Sequence, residues 1–212
     1  VFKFDDLVRC GVDVSTWEDF HPEEPMPFGN REVWGGFDPA RSGDNATFVV
    51  LAPPLVAAER FRVLEKHHWR SMSFQFMAER IRSIKARYNM TFIGIDVTGL
   101  GYGVFELVQG FARRETVAIH YSVESKNRLV MKMLDLIYAN RIEWDEEATD
   151  IPASFLAIRQ ESTNSGNKVT FTAERSEETG HADIFFAIAH AASNEPLNYK
   201  HKRKSTWILS DE

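Results

Sequence analysis

Residues 32–52 read EVWGGFDPARSGDNATFVVLA, and this stretch decides the fold. Its first part, 32–38, is an apolar run that ends in an acidic residue, and 39–45 is dense in turn formers. The apolar run 46–52 follows, and a third run of strand-forming residues spans 61–69. Because their connections are short, these three segments predict an antiparallel meander.

After the meander, helical and extended patterns alternate. One helix face is marked by apolar residues at helical spacing, namely Phe74, Met77, Ile81, Ile84 and Tyr88. Similar patterns predict helices around 101–113, from Ser125 to Asn140, from Ile151 to Ile158 and over 182–192, and strands over 91–96, 116–121, 141–144 and 167–172. This is the element order of an α/β, ribonuclease-H-like fold. Such a fold has a central mixed sheet, flanked by helices, in which an antiparallel three-stranded unit is followed by parallel strands. Many α/β folds share such an order, so the functional argument depends on the acids.

Composition divides the 212 residues into three parts. Residues 1–31 are predicted to be an acidic linker or docking segment outside the main fold, because 1–30 hold three prolines and seven acids against two bases. The predicted main domain spans 32–198, and 199–212 is a basic tail. Its candidate DNA contacts are Lys200, Lys202, Arg203 and Lys204. The chain begins at Val1, which suggests a piece of a longer polypeptide.

Several functions are excluded by what the sequence lacks. It has no GxxxxGK[ST] motif and therefore no P-loop ATPase site of its own. Cys10 is the single cysteine, which excludes an intrachain disulfide and a thiolate zinc site. No apolar run approaches the roughly 18 residues of a membrane-spanning helix, so a soluble intracellular protein without a membrane partner is expected. The net charge of −6 does not by itself indicate a nucleic-acid partner.

Three aspartates occupy positions from which they can meet. Asp38 ends the first strand of the meander, and Asp96 ends the apolar run 91–96 before a glycine-rich turn. Asp183 opens an apolar helix, where an acid is favoured by the helix dipole. If the two strands are adjacent, Asp38 and Asp96 lie at one edge of the sheet, and Asp183 can project toward it.

Three converging carboxylates repel one another unless a cation compensates their charge. Mg²⁺ and Mn²⁺ prefer carboxylate oxygen, keep several waters and can bridge a phosphate. Two such ions about 3.5–4 Å apart activate a water and stabilise the leaving oxygen of a phosphodiester. The aspartates are therefore predicted to be both metal ligands and catalytic groups of a nuclease, although each one alone also fits a turn or a helix start.

Weaker candidates surround this set. Asp44 is either an additional or outer ligand or a solvated turn residue, and His181 either orients water or phosphate or is a surface histidine. A phosphate path could be lined by Lys126, Lys168 and Arg175, although such bases are more often simply solvated.

Three blocks carry a family resemblance: GGFDPARSGDNATFVVL (35–51), FIGIDVTGLGYGVFELV (92–108) and GHADIFFAIAHA (180–191). In this order they resemble the nuclease domain of tailed-bacteriophage large terminase subunits, over roughly 32–195. The resemblance implies a ribonuclease-H-like fold and endonucleolytic cutting of concatemeric double-stranded viral DNA. It places the family's metal-binding acids at Asp38, Asp96 and Asp183.

The resemblance also implies partners: double-stranded DNA, an N-terminal packaging ATPase domain on the same polypeptide, the portal and the small terminase subunit. The location would be the cytoplasm of the infected bacterium, in a transient motor at the procapsid portal. Two alternatives stay open. One is another ribonuclease-H-like nuclease, such as a junction resolvase, a transposase or an RNA–DNA hybrid nuclease. The other is a non-catalytic docking module of the packaging motor.

Overall fold

The computed structural model describes residues 1–39, 45–162, 169–173 and 182–197. The strands there are β1 (Gly11–Val12), β2 (Glu32–Asp38), β3 (Asn45–Ala52), β4 (Phe61–Arg70), β5 (Asn89–Asp96), β6 (Thr116–Ile119), β7 (Ile142–Asp145), β8 (Ile158–Ser162) and β9 (Val169–Ala173). The helices are α1 (Phe4–Val8), α2 (Phe74–Arg87), α3 (Gly101–Ala112), α4 (Val123–Tyr138), α5 (Asp150–Leu156) and α6 (Asp183–Ala192), with a 3₁₀ turn at Val14–Thr16.

Seven of these strands form a mixed sheet in the order β1-β7-β4-β3-β2-β5-β6. The meander β2-β3-β4 is antiparallel, whereas β5 and β6 continue the sheet in parallel beyond β2. β2 is therefore a central strand with β3 on one side and β5 on the other. The predicted α/β, ribonuclease-H-like arrangement is confirmed.

Each face of the sheet is covered by helices that carry their own core. Trp34 of β2 and Phe92 of β5 pack with α6, α4 and α5 on one face. Val33 and Phe37, which alternate with Trp34 along β2, pack with α2 and α3 on the other. This explains why the sequences of β2 and β5 are strongly apolar, because a strand that is covered on both faces buries nearly every side chain.

The first 31 residues are packed into the fold, whereas the sequence analysis predicted that they lie outside it. Phe2, Leu7 and Cys10 are buried in the core on the α6 face, and β1 pairs in parallel with β7. Acids dominate the count in this segment, but several of the apolar residues between them face the core. A linker or docking role for the segment stays a prediction, and the basic tail 199–212 lies outside the described residues.

Three local features refine the predicted elements. Ile158 begins β8 and is not part of the preceding helix, which ends at Leu156. The cap of α4 is Ser122, whose side chain accepts from the Ser125 N–H in a capping box. This cap lies three residues before Ser125, where the sequence predicted the helix to start. Asn140 follows α4 with a positive φ of 53°, as expected for a helix-ending residue. None of the helices in the described ranges has the length and apolar character needed to cross a membrane.

Candidate metal centre

Asp38 and Asp96 end two adjacent parallel strands. The pairing of β2 with β5 runs to Phe37 opposite Ile95, so the aspartates are the next residues along each strand. Neighbouring strands lie about 4.8 Å apart, which brings the two Cα atoms close together. Both side chains are largely buried, with 8% of Asp38 and 4% of Asp96 exposed.

The two carboxylates point to the same face of the sheet. Along β2, Gly36 and Asp38 share a face because side chains alternate, and a Cβ built on Gly36 would meet α6. Along β5, Gly94 and Asp96 share a face in the same way, and a Cβ on Gly94 would also meet α6. The sheet therefore presents both acids on the side that α6 covers.

Asp183 is the first residue of that covering helix. It is buried, with 6% of its surface exposed, and it follows Ala182, whose positive φ of 61° turns the chain into the helix. The Ala187 carbonyl, one helical turn later, lies against Gly36. The three predicted aspartates thus lie on the same side of the sheet, two on strand ends and one at a helix start.

A glycine-dependent turn closes over this edge. Asp96 Oδ1 accepts a hydrogen bond of 2.8 Å from the Thr98 N–H. Gly99 has a φ of 72°, and a Cβ on Gly101 would lie 1.7 Å from the Asp96 carbonyl oxygen and 2.9 Å from the Pro39 ring. Because no larger residue fits at position 101, the start of α3 can pack directly against the ends of β2 and β5.

A buried histidine beneath the acids was missed in the sequence. His190 is fully buried in α6; its Nδ1 lies 2.7 Å from the Phe37 carbonyl oxygen and its Nε2 lies 2.6 Å from Tyr121 Oη. Burial lowers the pKa of His190 to about 4, although the Asp96 charge and the bond to Phe37 oppose this. The available signal was that, after Asp183, His190 is the only polar residue of α6.

The donor chemistry of the aspartates fits a hard divalent cation, since buried carboxylates need a compensating charge. Among the described residues, one set of three side chains has its ligand atoms within 4.8 Å of one another, namely the exposed His21, Glu23 and Glu24. The aspartates form a separate set, and a pair of ions about 3.5–4 Å apart would be held by carboxylates contributed from several elements.

The other predicted site residues are placed only in part. Lys126 lies in α4 with its Nζ 5.7 Å from the centre of the Phe186 ring of α6, so it packs beside the helix that carries Asp183. The remaining candidates lie outside the described residues: Asp44, Lys168, Arg175, His181, Lys200, Lys202, Arg203 and Lys204.

Comparison with known proteins connects this geometry to a family. The family model described as the terminase RNaseH-like domain matches residues 35–195. A probable terminase, ATPase subunit, of Haemophilus phage HP1 (strain HP1c1) is 50% identical over 212 residues, which are 100% of this chain and 35% of that protein. The terminase, ATPase subunit, of Escherichia phage P2 is 50% identical over 200 residues, which are 93% of this chain and 33% of that protein. The chain therefore spans about a third of the length of these relatives.

The large terminase nuclease of the thermophilic phage G20c, crystallised with bound magnesium, has a similar structure. The two structures superpose with a TM-score of 0.64 at 19% sequence identity, and the match covers 83% of this chain and 84% of the G20c chain. At 19% identity, this structural similarity supports the ribonuclease-H-like fold of the chain.

Proposed function

Because the chain belongs to the terminase RNaseH-like domain family, we propose that it is the nuclease domain of a phage large terminase subunit. In this role it is a divalent-metal-dependent endonuclease that cuts concatemeric double-stranded DNA during genome packaging. The observation that carries the proposal is the placement of Asp38 and Asp96 as buried, same-face ends of adjacent parallel strands beneath a helix that begins with Asp183.

In the proposed site, the carboxylates of Asp38, Asp96 and Asp183 hold Mg²⁺ or Mn²⁺, and two ions are proposed. Bound ions would supply an activated water and charge stabilisation for phosphodiester hydrolysis. The chain itself provides the ligand geometry. The Thr98 N–H holds Asp96 Oδ1, and burial of the acids keeps bulk water from screening their attraction for the cations.

The proposed partners follow from the relatives. Both curated relatives are terminase ATPase subunits about three times as long as this chain, which supports an ATPase domain on the same polypeptide. Double-stranded DNA is the proposed substrate, and the portal and the small terminase subunit are the proposed packaging partners. The proposed location is the cytoplasm of the infected bacterium.

The test is plasmid cleavage by the 212-residue chain with Mg²⁺ or Mn²⁺. Asp96→Asn preserves the shape of the side chain but removes its charge. We expect cleavage to fall by at least about 100-fold, because loss of a group that only orients a metal ligand already costs about 10–100-fold. The matched control is Glu79→Gln, an equally isosteric change at an exposed acid of α2, which should cleave like the unmodified chain. A folded Asp96→Asn protein that cleaves at the unmodified rate, or cleavage that persists in chelator, would refute the proposal. Branched and RNA–DNA hybrid substrates, run in parallel, separate the related nuclease classes.

A further inference from the structure

A chain of four hydrogen bonds, linked through the covalent frames of His190, Tyr121 and Thr98, connects Asp38 and Asp96, the two strand ends that form the acidic edge of the sheet. It begins at the peptide that joins Phe37 to Asp38 and passes through His190. It then reaches Tyr121, the residue two positions after β6, and ends at the carboxylate of Asp96 through Thr98. These links join four separate parts of the polypeptide, so local sequence does not impose them.

The first half of this chain fixes the backbone at Asp38. The Phe37 carbonyl can only accept, so His190 Nδ1 donates to it at 2.7 Å. That carbonyl belongs to the peptide plane from which Asp38 departs, and its orientation sets the direction in which the Asp38 side chain leaves the strand. α6 comes close enough for this bond because Gly36 and Gly94 have no Cβ to hold the helix away.

The second half reaches Asp96. With Nδ1 donating, the neutral ring of His190 accepts from the Tyr121 hydroxyl at 2.6 Å. The Tyr121 N–H donates to Thr98 Oγ1 at 3.1 Å, and the Thr98 N–H donates to Asp96 Oδ1 at 2.8 Å. His190, which anchors the Asp38 peptide, therefore also holds the Tyr121 side chain, and the Tyr121 backbone anchors the turn that holds the Asp96 carboxylate.

From this connection we propose that His190 and Tyr121 are positioning residues of the metal centre. They hold the two aspartates at a fixed separation and so set the affinity for divalent ions. The metal-binding part of this inference rests on the proposed function. An apolar side chain at position 190 would suit its buried surroundings without the desolvation penalty of an imidazole, but it would supply neither hydrogen bond.

The sharpest variant is Tyr121→Phe, which removes one oxygen and keeps the ring that packs on Phe186. His190→Asn keeps a donor near the Nδ1 position, whereas His190→Leu removes both bonds. Mn²⁺ binding is measured on the 212-residue chain by electron paramagnetic resonance, together with plasmid cleavage across Mn²⁺ concentrations. We expect binding about 10-fold weaker in Tyr121→Phe and His190→Leu, as for other groups that orient ligands, with His190→Asn in between. Cleavage by Tyr121→Phe should recover at high Mn²⁺.

A second measurement needs no metal. In the metal-free Tyr121→Phe protein, amide exchange of Thr98, followed by NMR, should quicken about 10-fold, while that of Val130, in the core of α4, should not change. Unmodified Mn²⁺ affinity in both Tyr121→Phe and His190→Leu, with only lowered melting temperatures, would show a purely structural role and overturn the proposal. If the unmodified chain binds no Mn²⁺, the proposed function fails, and unchanged Thr98 exchange in Tyr121→Phe would then reject the positioning role independently.

Discussion

Gly36→Ala tests the contact on which the candidate metal centre is built, that of α6 with β2. A Cβ at position 36 would lie 1.9 Å from the Ala187 carbonyl oxygen and 2.7 Å from the Ala191 nitrogen. Both atoms belong to the backbone of α6, so no side-chain rotation can relieve the clash. The helix or the strand has to move.

The size of the effect follows from these distances. Ordinary contact begins near 3.4 Å, so the separation has to grow by about 1.5 Å from 1.9 Å. Forced overpacking of a core costs about 1–3 kcal/mol, and we expect the upper end because two backbone atoms are involved. In a domain of this size a loss of about 3 kcal/mol lowers the melting temperature by roughly 6–12 °C. Metal-site distances tolerate only about 0.2 Å, so moving the helix that carries Asp183 should also weaken Mn²⁺ binding.

The assay combines urea unfolding with Mn²⁺ titration. Gly110→Ala is the matched control, since this exposed glycine of α3 has nothing within 4 Å of its built Cβ. That change should stabilise the chain by about 0.5–1 kcal/mol through helix propensity and leave Mn²⁺ affinity unchanged. If Gly36→Ala matches the unmodified chain in both unfolding free energy and Mn²⁺ affinity, α6 does not pack on β2 as described.

Two further predictions concern buried charge away from the acidic edge. Glu195→Gln removes the carboxylate shared by Lys132 and Arg141 at 2.6 and 2.8 Å. Urea unfolding should show a loss of about 3 kcal/mol, because the buried Lys132 and the partly buried Arg141 lose a charged partner. A loss below about 1 kcal/mol would contradict this. Burial alone would raise the pKa of Glu65, but hydrogen bonds from His67, Arg87 and Tyr88 lower it from 4.5 to about 2. Its contribution is then fully present above pH 4.5 and lost as the pH falls toward 2, so Glu65→Gln should reduce the acid sensitivity of the unfolding free energy in that window.

The central sheet could be predicted because its signals are local. In β2 and β5 an apolar run ends at an acid. A strand buried on both faces can be recognised from such a run alone, because nearly all of its residues are apolar. Parallel pairing then brings Asp38 beside Asp96 without further information. The start of α6 at Asp183 was equally local, because this acid precedes a helix that is apolar except for His190.

The packing of the amino-terminal segment could not be predicted in this way. Its ring contacts join residues far apart in sequence: Phe2 lies 5.2 Å from Phe155 and 5.5 Å from Phe185, measured between ring centres. Acids between the apolar residues dominate any composition count, and β1, with two residues, is too short to show alternation. Only the tertiary structure shows that this segment completes the core.

The role of His190 was hidden for a related reason. Within α6 it reads as one polar residue on a helix, and nothing nearby in sequence suggests its partners. Its hydrogen bonds depend on Phe37, more than 150 positions earlier, and on Tyr121. They also depend on how closely the helix approaches the sheet, which is set by glycines on other strands.

Those glycines follow a pattern that is readable once the structure is known. β2 ends in Gly36-Phe37-Asp38 and β5 ends in Gly94-Ile95-Asp96. In each strand the glycine and the aspartate share the α6 face, and the apolar residue between them faces the opposite core. The glycine lets the helix backbone approach, and the aspartate lies about 7 Å farther along, at the strand end. The same tripeptides therefore bring α6 down onto the sheet and place an acid just beyond its contact, which explains why the stability of the helix packing and the geometry of the acids should change together.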